Sequence, residues 1–361
     1  MILMLIYFIW ATPVMNDDGF HYEGFTESLA HGHLDFKSFY GFQGLSLFSV
    51  PIFWLTGSHN SIIITSMIFS ILSVYLAYFV GKEFYGSHRA GIYFLILFLL
   101  MPYPYTTMMR GFQEAALMFF ILLIIYGSLN KKIWTPLAWA IGGVVKPFSL
   151  ILFPLFILDI RNRKSLIWIV TAFAVGAVYL GTSYYQTGHL INNAAINSYQ
   201  GNFNTGNPPP LVESFTVGIK GYLRVGANLL FSFRKIMVSP LIVILGALSL
   251  LFNKNIKLRR EIALAIILNF LLVGSLTFSF SKYLLPMTTL FALASVSYLL
   301  KYRWLMILVF IDSFFVFLPI WNYFGSGFWP NIYVYLLPVW LGVILFVYER
   351  LFAEHYSNFN S

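Results

Sequence analysis

The chain carries the stretch NDDGFHYE at residues 16–23, directly after an apolar segment at residues 1–14. Two adjacent carboxylates, Asp17 and Asp18, therefore lie at the mouth of a hydrophobic segment. Charge near a bilayer is costly and commonly serves a function. The same pattern is typical of the capped start of a short, solvated helix, since Asp is a frequent N-cap residue. Both interpretations stay open on position alone.

The composition indicates an integral membrane protein built of helices. Of the 361 residues, 59% are hydrophobic and only 10% are charged, whereas soluble domains carry about 25% charged residues. The mean hydropathy is +0.78. Long apolar runs in lipid must satisfy their backbone hydrogen bonds internally, which favours helices. The chain has no cysteine, which excludes disulfides and thiolate metal sites. The basic residues behind its net charge of +9 fit membrane topology better than nucleic-acid binding, because they lie in short loops.

Five short basic loops predict the orientation of the chain, because Lys and Arg accumulate in cytoplasmic loops. They lie at residues 82–89, 131–132, 161–164, 254–260 and 301–303. All five lie inside only if residues 43–57, which contain Pro51, form a helix along the outer interface. Residues 133–158 must then turn back at Lys146-Pro147. We expect a retained first helix, about twelve transmembrane helices and a single domain over residues 1–361. The apolar segments are residues 1–14, 43–57, 61–80, 90–108, 112–128, 133–158, 165–185, 236–252, 262–280, 283–300, 303–320 and 331–348.

The outer face predicted in this way carries both carboxylates and cations. Its first loop, at residues 15–60, contains the acidic pair, and its longest loop spans residues 186–235. A carboxylate beside a bound hydroxyl or amine can act as a general base. Cations nearby can stabilise the charge of a phosphate leaving group. The shared face therefore favours a site that combines an anionic lipid headgroup with acid–base chemistry.

Each charged residue of this face also has an ordinary structural explanation. Lys282 and Arg110 could snorkel at helix ends, and Glu114 could pair with Arg110 four residues earlier. The three histidines of residues 21–33 lack the spacing of a strong metal-binding motif. The sequence therefore identifies no cofactor, and a divalent cation held by carboxylates stays an open alternative.

Several short motifs occur in an order that is more specific than any one of them. They are DGFHY at 18–22, Gly32, LTG at 55–57, Arg110 with Glu114, VKP at 145–147 and KYLLP at 282–286. In this order they resemble the GT-C superfamily of polytopic glycosyltransferases, over most of the chain. The closest resemblance is to the family 39-like branch of protein O-mannosyltransferases and lipid A aminoarabinose transferases. The departures from that pattern are Lys282 for Arg, Glu114 for Asp, and Gln43-Gly44 for Lys-Pro-Pro.

The resemblance implies an all-α GT-C fold with outer-face juxtamembrane helices, in the plasma membrane. It implies a hexosyl- or pentosyltransferase that moves a sugar from a polyprenyl-phosphate-linked donor to a hydroxyl or amine of a protein, lipid or glycan. Family members use the first outer-loop aspartate as base; the spacing to Tyr22 favours Asp18, and the first place in the acidic pair favours Asp17. The implied site residues are Asp18, Asp17 and Glu114 (catalytic), Lys282, Tyr283, Arg110 and Lys146 (donor-binding), and His21, Tyr22, Tyr40 and Gln43 (acceptor-binding).

Two other classes of function fit parts of the sequence. A transporter or flippase for sugar lipids would use the same charges to bind and move a headgroup, without glycosyl transfer. A carboxylate in the middle of a span favours that class, and Asp312 is such a residue. A structural or assembly subunit without turnover is the other alternative.

Overall fold

The computed structural model describes residues 17–36, 43–57, 60–101, 111–157, 163–188, 219–230, 239–275 and 281–313. These residues form thirteen α-helices and two 3-10 turns, Pro147–Leu152 and Ser281–Leu284, with no strand among them. Helices α1 to α7 are Asp17–Ala30, Gly44–Thr56, Ser61–Tyr85, His88–Leu99, Glu114–Leu129, Thr135–Val145 and Pro154–Ile157. Helices α8 to α13 are Arg163–Thr187, Ile219–Leu230, Pro240–Phe252, Arg259–Ser275, Leu285–Lys301 and residues 305–313.

Helix length separates elements that can cross a bilayer from elements that cannot. Among the described residues, Ser61–Tyr85 and Leu166–Thr187 are long and apolar enough to cross on their own. Helix α2 has 13 residues and contains Pro51, so it is only about 20 Å long against a hydrocarbon core of about 30 Å. Its end exposes Trp54 and Leu55, which suits a helix lying at the interface. The short helix expected for residues 43–57 is confirmed, and its position along the outer interface stays a prediction.

The acidic stretch forms the start of a helix. Helix α1 begins at Asp17, which places both aspartates in its first turn, where negative charge favours a helix. The helix ends before Gly32, whose φ of +83° is the left-handed conformation that glycine adopts readily. Glu23 on α1 is buried and accepts hydrogen bonds from the Ser61 hydroxyl and the Ile62 N–H, both at 2.8 Å. Glu23 therefore caps α3 from a neighbouring helix.

The segment at residues 133–158 folds back on itself, as the sequence predicts. Helix α6 stops at Val145, and Lys146 is extended with φ −161° and ψ 127°. The 3-10 turn Pro147–Leu152 then returns along α6, and the Trp139 indole N–H donates to the carbonyl of Leu150 at 2.9 Å. Proline at 147 lacks an N–H and disfavours helix at the residue before it, which accounts for the break.

Helix α12 lies at the centre of the bundle. Most of its side chains are buried, and it packs against α4, α5, α10 and α11. The Tyr85 hydroxyl joins α3 to it by donating towards the carbonyls of Leu293 and Ala294, at 2.9 and 3.0 Å. The turn Ser281–Leu284 leads directly into α12, and α12 is held in the core of the bundle. The packing of α12 therefore also determines the position of this turn.

Basic loops meet at the end of the bundle opposite α1. The Lys257 ammonium donates to the carbonyl of Glu83 at 2.7 Å, which joins two of the five predicted cytoplasmic loops. The Arg259 guanidinium donates to the carbonyls of Leu250 and Leu251 at the C-terminus of α10. A cation is favourable there because it lies at the negative end of the helix dipole. This proximity agrees with the prediction that these loops share one side of the membrane.

One feature differs from the sequence-based expectations, and the structure also shows the contacts of Asp312. Residues 186–235 were expected to form an outer loop, but α9 lies within them and packs on α11, with Tyr222 against Gly274. Its amphipathic pattern is the signal that identifies it in retrospect. Asp312, the candidate for a transport site, accepts hydrogen bonds from the Ser239 hydroxyl and from the Leu241 N–H at 3.1 Å. It thus caps the start of α10.

Candidate active site

The site is built where several helix ends meet. Helices α1, α2, α3 and α5 begin there, α6 ends there, and the last two turns of α8 and the Ser281–Leu284 turn join them. Gly111 shows how closely they approach: a Cβ built on it would lie 2.6 Å from Ile62 and 3.7 Å from the Cα of Gly19. The first turn of α1, with Asp17 and Asp18, is therefore beside the loop that leads into Glu114.

A buried ion pair occupies this region. Helix α5 begins at Glu114, which is 1% exposed, and the Lys146 ammonium from the hairpin donates to its Oε1. Lys146 is 9% exposed. The helix N-terminus adds partial positive charge next to the carboxylate. The sequence suggested Arg110 as a partner of Glu114, but Arg110 lies outside the described residues; the pair that the described residues show is with Lys146.

Tyr283 brings the KYLLP motif to the same place. Its ring stacks on Phe148 with centroids 4.4 Å apart and planes inclined by 17°. The Lys146 ammonium lies 5.5 Å from the centroid of the Tyr283 ring, within the range of a cation–π contact. Lys146 therefore lies between a carboxylate on α5 and an aromatic ring on the turn before α12. Two of the sequence-derived donor residues and one sequence-derived catalytic residue thus lie together, and their roles stay predictions.

Helix α2 closes the site from another side. A Cβ on Gly44 would lie 2.5 Å from the Cα of Val145, so the start of α2 touches the backbone just before Lys146. Gln43 is fully buried, and its N–H donates to the Tyr179 hydroxyl of α8 at 2.9 Å. These contacts hold α2, the hairpin and α8 together around the ion pair.

Two of the proposed acceptor residues are neighbours. The Ser46 hydroxyl donates to the carbonyl of Tyr22 at 2.8 Å and lies 3.5 Å from the Gln43 side-chain oxygen. Tyr22 and His21 are both half-buried on α1. The structure thus brings Tyr22 and Gln43 together through Ser46.

Other sequence-derived site residues lie wholly or partly outside the described parts. Arg110 and Tyr40 are outside the described residues. Asp17, Asp18 and Lys282 lie in described backbone, in α1 and in the Ser281–Leu284 turn, but their side chains are not described. Their backbones place all three at the helix ends that surround the ion pair.

The histidines near the acidic stretch lie on the protein surface. His31 and His33 are exposed, and the Nδ1 of His31 is 2.8 Å from the carbonyl of Glu27 on its own helix. Among the described residues, no group of three His, Asp or Glu side chains is arranged to hold a metal ion. The divalent cation considered from the sequence stays untested.

Sequence reasoning missed two residues of this site. Phe148 was read only as part of an apolar segment, although it follows the VKP motif by one residue and stacks on Tyr283. Asn269 is fully buried, and its side-chain amide donates to the carbonyl of Tyr283 at 3.2 Å. A lone polar residue within the apolar run of α11 was the available signal.

The fold and the site together define the class. The protein is an all-α polytopic membrane protein with a GT-C fold. The site lies where helices α1 and α2, the hairpin at Lys146 and the turn before α12 meet. No family model and no curated protein matches the sequence. Among solved structures, the chain is similar to ArnT from Cupriavidus metallidurans.

Two crystal structures of ArnT match over nearly the whole chain. The one bound to undecaprenyl phosphate has a TM-score of 0.57 at 12% identity, covering 94% of this chain and 74% of ArnT. The apo structure has a TM-score of 0.57 at 11% identity, covering 95% of this chain and 67% of ArnT. At such identities the likeness shows the fold.

Proposed function

We propose that the protein is a membrane glycosyltransferase that uses a polyprenyl-phosphate-linked sugar. The observation that carries the proposal is the group formed by the buried ion pair Glu114–Lys146 and the half-buried Tyr283, beside the first turn of α1, in a GT-C fold. Buried charges in a membrane protein are costly and are most often kept for function. A crystal structure of the similar protein ArnT contains undecaprenyl phosphate, which supports the class of donor.

The donor phosphate is held by cations around the turn before α12. Lys282 lies in that turn and Arg110 in the segment before α5, and both would contact the phosphate as charge-assisted donors. Lys146 adds positive charge beside Glu114, while its ion pair limits the net charge of the site. The lipid would enter sideways from the outer leaflet, with its sugar facing α1.

The transfer itself needs one base and one leaving group. Asp18 or Asp17 takes the proton of an acceptor hydroxyl or amine, which attacks the anomeric carbon. The new bond to the acceptor oxygen or nitrogen forms as the bond between the anomeric carbon and the phosphate oxygen breaks, with inversion. The lipid phosphate leaves with the bonding electron pair, and the cations stabilise its charge.

The acceptor would approach along α1 and the start of α2. His21, Tyr22, Tyr40 and Gln43 are the residues proposed to contact it, and a protein, lipid or glycan of the outer face is the proposed class. Residues 186–235 would cover the site and exclude water during transfer. Hydrogen bonds to Asp312 at the start of α10 give this residue a structural explanation, which supports transfer over the transport alternative.

Lys282 offers a direct test of the donor site. Lys282→Ala should raise the donor concentration needed for half-maximal rate by more than Lys282→Arg does, since only alanine removes the charge. The loss expected for one charge-assisted contact is about 1–3 kcal/mol. The rate is followed as release of polyprenyl phosphate from envelope lipid extract in the presence of an acceptor extract. Lys257→Ala, at the opposite end of the bundle, is the matched control, and an unchanged donor dependence in Lys282→Ala would refute the assignment.

A further inference from the structure

Asn269 is a polar residue in an apolar part of the molecule. It is the only polar side chain between Ile262 and Val273 of α11, and it is fully buried. Burying an amide costs folding free energy unless hydrogen bonds within the protein replace those that the amide made with water. Its presence in the middle of an apolar run therefore calls for a specific partner.

That partner is the backbone of the turn before α12. The Asn269 Nδ2 donates to the carbonyl of Tyr283 at 3.2 Å. In the 3-10 turn Ser281–Leu284, the next i to i+3 donor for this carbonyl would be the residue at 286. Residue 286 is a proline and has no N–H to give. Asn269 thus supplies from another helix the donor that the sequence of the turn lacks.

The turn held in this way carries groups of the proposed donor site. Tyr283 points its ring at Phe148 and Lys146, and Lys282 precedes it in the chain. Helix α11 also packs directly on the Pro147–Leu152 limb of the hairpin. Helix α11 therefore contacts both the hairpin and, through Asn269, the backbone of Tyr283. This one side chain links the position of the Tyr283 backbone to that of the hairpin.

We infer that Asn269 is a positioning residue that holds the Ser281–Leu284 turn in register with Lys146, so that the turn can bind the phosphate of the lipid donor. This inference rests on the proposed function for its ligand. Asn269 does not touch the reacting atoms in this scheme. It acts through the backbone of Tyr283.

The environment of Asn269 allows its effect on the turn to be measured apart from its effect on the free energy of unfolding. Within the part of the chain that the structure describes, its Oδ1 is buried without a hydrogen-bond partner. Replacing the amide by Leu, which is similar in size, removes this unsatisfied acceptor together with the useful donor. The two effects oppose each other in the folding free energy, whereas only the loss of the donor bears on the turn.

The test compares Asn269→Leu with Thr288→Val in the full-length protein in detergent. Thr288 is an apt control because it is buried on α12 and its hydroxyl donates within the same helix, to Leu285 at 3.1 Å. Hydrogen exchange of the amides at residues 281–285 reports on the turn, and a binding titration with undecaprenyl phosphate reports on the ligand. Asn269→Leu should speed the exchange and weaken binding, each by about tenfold, as for one lost hydrogen bond. Thr288→Val should do neither.

Each other outcome decides against part of the inference. Unchanged exchange in Asn269→Leu would show that the amide does not hold the turn. Faster exchange with unchanged affinity would show that the turn does not need this support to bind the lipid. If the wild-type protein does not bind undecaprenyl phosphate, the proposed function fails and with it the link to the donor. The exchange data would still show whether Asn269 positions the turn.

Discussion

Glu114 and Lys146 are 32 residues apart in the chain and form an ion pair inside the bundle. Burying two charges is favourable only with good geometry and further hydrogen bonds, so a hydrophobic pair of similar size is often at least as stable. Stability alone therefore gives a weak reason for such a pair. A role in binding and catalysis gives a better one, because Lys146 also faces Tyr283.

Substitution of this pair separates stability from function. Glu114→Gln or Lys146→Met alone should lower the free energy of unfolding by roughly 3–5 kcal/mol, because each leaves a buried charge without this partner. The double variant should recover much of that loss and still transfer sugar poorly. Thermal unfolding and transfer per folded molecule are measured for all three. A double variant with normal stability and normal transfer would show that the pair is structural only.

Some residue-scale features of the site could be predicted and others could not. The motifs contain Glu114, Lys146 and Tyr283, which the structure brings together. The pairing of Glu114 with Lys146 could not be predicted, since a sequence shows i, i+4 neighbours and hides contacts between helices. Glu23 illustrates the same limit. It lies in the acidic stretch, yet it caps α3, a role that depends on how two helices pack.

At the scale of elements, the start of α2 and the hairpin form one unit. Gly44 lies against Val145 so closely that any side chain there would have to displace backbone. Because Lys146 follows immediately, a shift of α2 changes the position of its ammonium relative to Glu114. The close contact thus connects the interfacial helix to the charge pair.

Gly44→Ala should therefore disturb the site through the backbone. The added methyl would need to move α2 or the hairpin by several tenths of an ångström, and overpacking of this kind commonly costs about 1–3 kcal/mol. Gly176→Ala on α8 is the control, since a Cβ there meets nothing within 4 Å and alanine favours helix. Thermal unfolding and transfer rate are compared for the two variants. Equal behaviour of both would remove the close contact from the mechanism.

Helices could be predicted from the sequence where the apolar runs were long and bounded by polar or turn residues. The break at Lys146-Pro147 was predictable because proline acts locally. Helix α9 was not predicted, because its amphipathic pattern lies in a long polar region whose Pro and Gly content dominated the interpretation. Its position depends on Tyr222 packing at Gly274, which is information from tertiary structure.

At the scale of the whole molecule, the basic loops and the acidic stretch of α1 lie at opposite ends of the described helices. The described helix ends separate into a side with α1 and the ion pair and a side where basic loops meet, as at Lys257 and Glu83. The GT-C fold and the asymmetry of basic loops both belong to the entire chain. For this reason the fold class could be predicted from composition and motif order, although each motif is short.

The sidedness of the molecule is testable because the chain has no cysteine. Single cysteines at positions 17, 205, 257 and 282 are treated with an impermeant thiol reagent in intact cells. Positions 17, 205 and 282 should be labelled and position 257 protected, until the membrane is opened. Labelling of position 257 together with protection of position 205 would refute the predicted orientation.

The central claim is that the acidic pair supplies the base for glycosyl transfer. The decisive measurement is sugar transfer to a crude acceptor extract, per folded molecule, for wild type, Asp18→Asn, Asp17→Asn and the double variant. Both singles and the double are needed, because two adjacent carboxylates can share one proton or ion. Glu23→Gln serves as control on the same helix, since Glu23 caps α3 and its loss should lower stability while specific activity stays normal. The predicted result is a loss of roughly 10²–10⁴-fold in the double variant, as for removal of a general base, with donor binding retained. Full specific activity in the double variant would contradict the claim.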